Sequence, residues 1–311
     1  MSQAATTTAP PLALSAHAAA RSGALAAAVC YFLWGLVPLY WKQLAAVDAR
    51  ELIAHRHLWS LVFVLVILVA QARLGDVRAA LASPRSLGSN FLSATLLTTN
   101  WLVYVWGVNT DHVIETSLGY FLVPLVNVAA GRFVLHEHLR RVQWAAIALA
   151  AAGVALMVWQ LGRPPWIALV LAGSWGAYSL MRKQSPLGSL TGLTIETLLL
   201  APLAIAFLLW QHHTGAGALG RVSLAQHLLI FSSGVITAVP LLLFAYGARR
   251  IRLSTMGLLQ YIAPSVQFVI ALAVYHEPLA GRGPSFALIW AGLALYTADN
   301  LWAQRRRPLA T

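Results

Sequence analysis

Apolar runs longer than about 18 residues recur along the whole of this chain, and a run of that length is what a helix needs to cross a hydrocarbon layer of about 30 Å. Composition points the same way: 59% of the 311 residues are hydrophobic and 10% are charged, with a mean hydropathy of +0.71. A soluble domain carries about 25% charged residues, so this chain lacks the side chains to cover a water-facing surface. A soluble enzyme, a nucleic-acid binder and a disordered protein are excluded. The net charge of +12 does not argue for nucleic acid, because the basic residues lie between apolar segments rather than in one patch.

The pattern predicts ten membrane-spanning helices, near 22–44, 52–72, 87–108, 114–135, 141–160, 164–181, 190–210, 224–247, 253–275 and 283–303. Each is long enough to span the bilayer at about 1.5 Å per residue. Connections are short, so neighbouring segments pack antiparallel. With a cytoplasmic N-terminus, the inside flanks hold 15 Lys and Arg and the outside flanks 6, which places both termini in the cytoplasm of a cell with an inner membrane. Residues 1–20 are expected to be a disordered Ala-, Thr- and Pro-rich tail, and 305–311 a basic cytoplasmic tail. The first apolar stretch is too long for the core of a cleaved signal. A single cysteine, Cys30, allows no intrachain disulfide and no thiolate cluster, and is read as a small buried hydrophobe.

The second half echoes the first at a shift of about 140 residues. Pro124–Leu139 aligns with Pro264–Leu279 with six identities in sixteen positions, His136-Glu137 and His276-Glu277 among them. Trp34, Gly35 and Lys42 align with Trp175, Gly176 and Lys183, and Trp106-Gly107 with Tyr246-Gly247. These matches divide the chain into five-helix repeats at 21–160 and 161–304. Five is odd, so the halves cross the bilayer in opposite senses, as in secondary transporters built from inverted repeats. Pro124 and Pro264 sit mid-segment at matching positions, where each frees a backbone carbonyl and is expected to break its helix.

The residues also resemble a known family. Tyr31-Phe32-Leu33-Trp34-Gly35-Leu36-Val37-Pro38 with Tyr40 and Lys42 looks like the first helix of the RarD-type chloramphenicol-sensitivity proteins. So do Ala54-His55-Arg56, Asn100-Trp101, Ser117-Leu118-Gly119-Tyr120-Phe121 with Pro124-Leu125-Val126-Asn127, Ile195-Glu196-Thr197, and Leu253-Ser254-Thr255 with Gln260-Tyr261 and Pro264. In order, they cover residues 23 to 303. The resemblance implies the EamA branch of the drug/metabolite transporter superfamily, an all-α integral membrane protein of ten helices in two inverted halves. It implies transport without naming a solute.

A charge inside an apolar helix costs about 2.5–3.5 kcal/mol at the centre on insertion scales, so each needs a reason. Glu196, in the seventh segment, is either a carboxylate for proton coupling or substrate binding, or a helix–helix hydrogen-bond partner. Arg56, its repeat counterpart in the second segment, is either a two-pronged donor for an anionic group or a snorkelling side chain beside Glu51. Inverted symmetry puts Arg56 and Glu196 on opposite sides of the midplane, so no salt bridge between them is expected. Tyr120, Pro124, Asn127 and Gly131 share one face of the fourth segment, and Gln260, Pro264, Gln267 and Ala271 repeat that stripe in the ninth. Such stripes line a cavity or hold helices together. Asn100 and Trp101 add a polar anchor and an aromatic wall; Trp34 and Tyr261 are further candidates. Glu137 and Glu277 suit caps on the helix that follows each. His136-Glu137-His138 lacks the four-residue histidine spacing of a zinc protease, and neither a phosphate-binding glycine loop nor a nucleophile elbow is present.

The expected protein is therefore a secondary transporter, not an enzyme. It takes a small amphiphilic or amino-acid-like solute near the midplane between the third, fourth, eighth and ninth segments. Its partners are the solute and the lipid bilayer, with no nucleic acid and no cofactor, as a monomer or homodimer. A non-transporting membrane scaffold or indirect drug-sensitivity factor is the alternative.

Overall fold

The computed structural model describes residues 12–110, 112–274, 281 and 283–305. These residues form twelve helical segments: α1 (Leu12–Lys42), α2 (Ala49–Ala70), α3 (Leu74–Leu81), α4 (Pro84–Asn109), α5 (Val113–Phe133), α6 (Arg141–Leu161), α7 (Trp166–Gln184), α8 (Ser189–His213), α9 (Leu224–Ala248), α10 (Leu253–Leu259), α11 (Ile262–Ala273) and α12 (Gly283–Arg305). No strand occurs among the described residues. Six spans are long and apolar enough to cross a membrane: Ala18–Lys42, α2, α6, α8, α9 and Leu253–Ile270.

Local chemistry sets the helix ends. Asp48 caps α2 by accepting from the backbone N–H of Arg50 at 2.8 Å. Ser83 accepts from Ser86, with Pro84 opening α4 where its missing N–H is no loss. Ser223 and Gln226 close a reciprocal capping box at the start of α9. Gly162 ends α6 in the left-handed region at φ 68°.

Several expectations need correction. Helix α1 begins at Leu12, so nine residues of the expected tail are helical; Leu12–Ala20 is almost all Ala and Leu, the strongest helix formers. The remainder of that tail, Glu277 and the basic residues beyond 305 lie outside the described residues. Helix α3 was not expected, being a short segment on the way from α2 to α4. Pro124 does not break α5, which runs through it. The ninth segment is broken, but at Gln260-Tyr261 rather than at Pro264 itself. Pro264 has no N–H to offer the carbonyl of Gln260, four residues earlier. That carbonyl takes Ala263 N–H instead, three residues on at 3.2 Å, and the tightened turn separates α10 from α11.

Helix packing has an exchange pattern. Helix α6 lies on α12, α2 on α8 and α5 on α10. The remaining major contacts come in pairs: α5 on α7 with α1 on α11, α2 on α9 with α4 on α8, and α1 on α9 with α4 on α7. Swapping α1, α2, α4, α5 and α6 for α7, α8, α9, α10–α11 and α12 maps each of these contacts onto another or onto itself. Side chains obey the same swap. Gly35 abuts Val266, and its counterpart Gly176 abuts Val126, the counterpart of Val266; any side chain at either glycine would overlap the valine. Trp34 meets its own counterpart Trp175 edge-on, ring centroids 5.2 Å apart.

Glu137 is a cap, though not of the following helix. Its carboxylate accepts from Leu253 N–H at 2.6 Å and from Ser254 N–H at 3.1 Å, at the start of α10. The turn after α5, with His136 at φ 53°, folds it back that way. Glu137→Ala strands these donors and is expected to destabilise the protein by about 1–3 kcal/mol, read as a lower melting temperature in detergent.

Candidate functional site

The sequence-predicted polar residues divide into three connected groups. The first surrounds Glu196, 1% exposed on α8. Its carboxylate accepts a short hydrogen bond from Ser93 Oγ on α4, one from Tyr178 on α7 at 3.3 Å, and an ion pair from Arg182 Nη1 at 3.3 Å. Arg182 is itself 1% exposed. Gly192, one turn before Glu196, leaves the groove in which the guanidinium lies. A small cavity with room for about one water separates Glu196 from His57, walled by Trp101, Ser60, Thr197 and Thr237. His57 Nε2 is buried there without a partner.

The second group lies where α2, α4 and α5 meet. Asn100, fully buried, donates to the Leu171 carbonyl at 2.9 Å and to Ser174 Oγ at 3.1 Å, tying α4 to α7. Tyr120 donates to Asn100 Oδ1 at 3.3 Å. The Arg56 guanidinium stacks on Trp101, its carbon 3.3 Å from the ring centroid, with Trp41 5.9 Å away. Arg56 and Glu196 form no ion pair with each other.

The third group joins α5 to the α10–α11 break. Asn127 donates to Gln260 Oε1 at 3.3 Å, and Tyr31 reaches the same oxygen at 3.5 Å. Tyr261 donates to the Phe121 carbonyl at 3.2 Å, in the turn of α5 ahead of Pro124. Gln267, exposed, donates to the Trp34 carbonyl at 3.2 Å. The rings of Tyr31, Trp34, Trp175, Tyr178 and Phe244 pack into one cluster between the first and third groups. Cys30, buried and free, belongs to the same core.

The small cavity is thus lined from α2, α4, α8 and α9, and of the predicted residues only Trp101 and Glu196 reach it. Asn127, Gln260 and Gln267 are occupied elsewhere. Sequence reasoning missed Arg182 by counting it as a cytoplasmic flank charge. A signal was available: residues 185–188 are a short connection between antiparallel helices, so a cation ending α7 faces an acid two turns into α8. Ser93 and Tyr178 carried no comparable signal.

Comparison with known proteins agrees with this architecture. Residues 21–159 match the EamA-like transporter family. The chain is 42% identical over 287 residues to Protein RarD of Streptomyces exfoliatus, covering 92% of this chain and 91% of that one. It is 43% identical over 290 residues to the uncharacterized transporter YojE of Bacillus subtilis strain 168, covering 92% and 96%. It is 39% identical over 287 residues to Protein RarD of Escherichia coli K12, covering 92% and 97%. A solved crystal structure superposes with a TM-score of 0.69 at 20% identity, covering 89% of this chain and 98% of that one, which supports the fold alone. Relatives named as transporters, rather than as enzymes, fit a bundle of apolar helices with buried polar clusters. The chain belongs to the RarD-type EamA-like transporter family, multi-pass membrane transporters of the drug/metabolite superfamily found in bacteria.

Proposed function

We propose that this protein is a secondary active transporter of the inner membrane, moving a small organic metabolite or drug-like solute by alternating access, with proton coupling through Glu196. Ten crossings are made by α1, α2, α4, α5, α6, α7, α8, α9, the joined α10–α11, and α12. Residues 21–160 and 161–304 form two five-helix repeats of opposite orientation, and both termini face the cytoplasm, the side that then carries 15 of the 21 Lys and Arg. The exchange pattern of helix contacts supports the repeat, as does the contact of Trp34 with Trp175. On α4, Ser93 and Asn100 bond to α8 and α7 inside the bundle.

The observation that carries the reading is the buried carboxylate of Glu196, set beside a water-sized cavity and held by groups from α4 and α7. A carboxylate with a chargeable partner in a protein interior can take or release a proton as its surroundings alternate between the two sides. The solute lies near the midplane, contacted by Asn100, Trp101, Tyr120, Asn127, Gln260, Tyr261 and Gln267, with Arg56 at the outer edge. The polar bonds these residues now make, to one another and to neighbouring backbone and side chains, are exchanged for bonds to solute. The bilayer is the only other partner required, and the unit is one chain or a homodimer.

The test is flux. Purified protein in liposomes loaded with a metabolite and chloramphenicol mixture is given a pH gradient, and solute loss is read by mass spectrometry. Protein-dependent loss of one solute class, faster with the gradient, supports the carrier; no protein-dependent flux under either condition favours a non-transporting scaffold.

A further inference from the structure

Arg56 is a cation whose counter-charge is missing among the described residues. Its guanidinium makes no ion pair or hydrogen bond there, and its Nε is buried without a partner. Seven of the nine Asp and Glu residues are described, and each is engaged elsewhere. Asp48 holds Arg50, Asp76 holds Arg73, Asp299 holds Arg140, and Glu196 holds Arg182. Glu115 holds Arg163 and the backbone N–H of Ile167. Glu137 caps α10, and Glu51, the partner a snorkelling Arg56 would use, is turned to the N–H of Ala218 at 2.7 Å and lies 3.6 Å from His55.

The surroundings of Arg56 are aromatic rather than acidic. The Trp101 ring lies beneath its central carbon and Trp41 is nearby. Tyr104 and Tyr120 are close enough to act on its charge and pack against each other with ring centroids 5.5 Å apart. Tyr104 is 40% exposed and Arg56 and Trp101 are half-buried, so neighbouring side chains do not fully enclose this face. Arg56 lies seven residues into α2 and Trp101 eight residues from the end of α4, about 10–12 Å from the helix ends at 1.5 Å per residue. A fork of N–H donors fits a carboxylate, and four rings around it fit a flat apolar body.

We infer that the solute of this site is an aromatic carboxylate, its carboxyl group held by Arg56 and its ring packed among Trp101, Tyr104 and Tyr120. The inference rests on the transporter reading above and narrows it to one class of solute. The anion-binding chemistry is shared by a lipid phosphate, and the experiment separates the two.

Equilibrium binding of radiolabelled phenylacetate, benzoate and indole-3-acetate is measured on the whole protein in phosphatidylcholine nanodiscs, with phenylacetamide as competitor. At least one acid is expected to bind saturably, with phenylacetamide competing at least tenfold more weakly than its acid. Arg56→Gln is expected to weaken binding at least tenfold, Arg56→Lys about threefold to tenfold, and Trp101→Leu at least threefold. Melting temperatures of the variants show that they remain folded; if Arg56→Gln is not, Arg56→Lys and Trp101→Leu decide. Binding of the amide equal to the acid, unchanged affinity in the folded variants, or no saturable binding of any acid overturns the inference. Displacement of the acid by phosphatidylglycerol in the disc at equal potency also overturns it, in favour of a lipid headgroup. Flux of another solute class with these acids ignored overturns the inference while keeping the transporter. Acid binding with these properties and no flux of any solute supports the site and removes the transporter reading.

Discussion

Glu196→Gln is expected to bring proton-dependent solute loss from loaded liposomes down to the protein-free background, and to leave Arg182 as an uncompensated buried cation. The first effect follows from coupling and the second from electrostatics, and they are separable. Breaking a buried ion pair from one side costs about 3–5 kcal/mol, because the remaining charge keeps its desolvation penalty without its partner. The single variant is therefore expected to melt at a clearly lower temperature, although glutamine still offers an oxygen to Ser93 and Tyr178. In Glu196→Gln/Arg182→Gln neither charge remains, and most of the lost stability is expected to return. The proton-dependent flux is expected to stay absent, since no titratable group replaces the carboxylate. Recovery of both stability and pH-dependent flux in the double variant would make Glu196 a packing residue. Unchanged flux in the single variant would remove it from the mechanism altogether.

The second large effect concerns the two glycines that the halves exchange. Gly35→Leu or Gly176→Leu places a branched side chain where Val266 or Val126 already lies. Helix α1 must then move off α11, or α7 off α5. Overpacking of this kind costs about 1–3 kcal/mol and more where backbones must separate. Gly173→Leu is the control: it lies on the same helix as Gly176, is exposed, and would meet nothing within 4 Å. It is expected to leave stability unchanged or raise it by up to about 1 kcal/mol, because leucine favours the helix over glycine. Thermal melting of the three variants in detergent checks the prediction, and equal losses in all three would show that close approach to a valine does not govern these positions.

Hydropathy made the helices legible because the bilayer imposes one length and one chemistry on every crossing. The α6 boundaries at Arg141–Leu161 and the α9 boundaries at Leu224–Ala248 lie within one residue of those expected. Helix α3 escaped because eight residues are too short for a window tuned to a membrane. The break before α11 was attributed to the right proline and misplaced by one turn: the side chain that removes a donor and the carbonyl that loses it are four residues apart. Glu137 was read as a cap from its position, but which helix it caps depends on how the turn after α5 folds back, which no local pattern encodes. The site was harder. Polar stripes show which residues face inward; they do not show that Asn127 meets Gln260 while Asn100 meets Ser174. Arg182 was hidden by a counting rule that treats every flank cation as a topology signal, whereas burial of this one is decided by Gly192 on another helix.

The contact between Trp34 and Trp175 has a bearing on how such a chain could arise. It joins a residue to its own counterpart, and around it the Gly35–Val266 and Gly176–Val126 contacts swap partners. That is the rule of an isologous interface, in which one patch is complementary to itself. A single half, inserted in the membrane both ways up, would present this patch to a copy of itself. Gene duplication followed by fusion then requires a new connection, not a new interface, and selection afterwards can specialise the two copies separately. On the proposed repeat, Pro124 inside an unbroken helix and Pro264 beside a break would be one such specialisation.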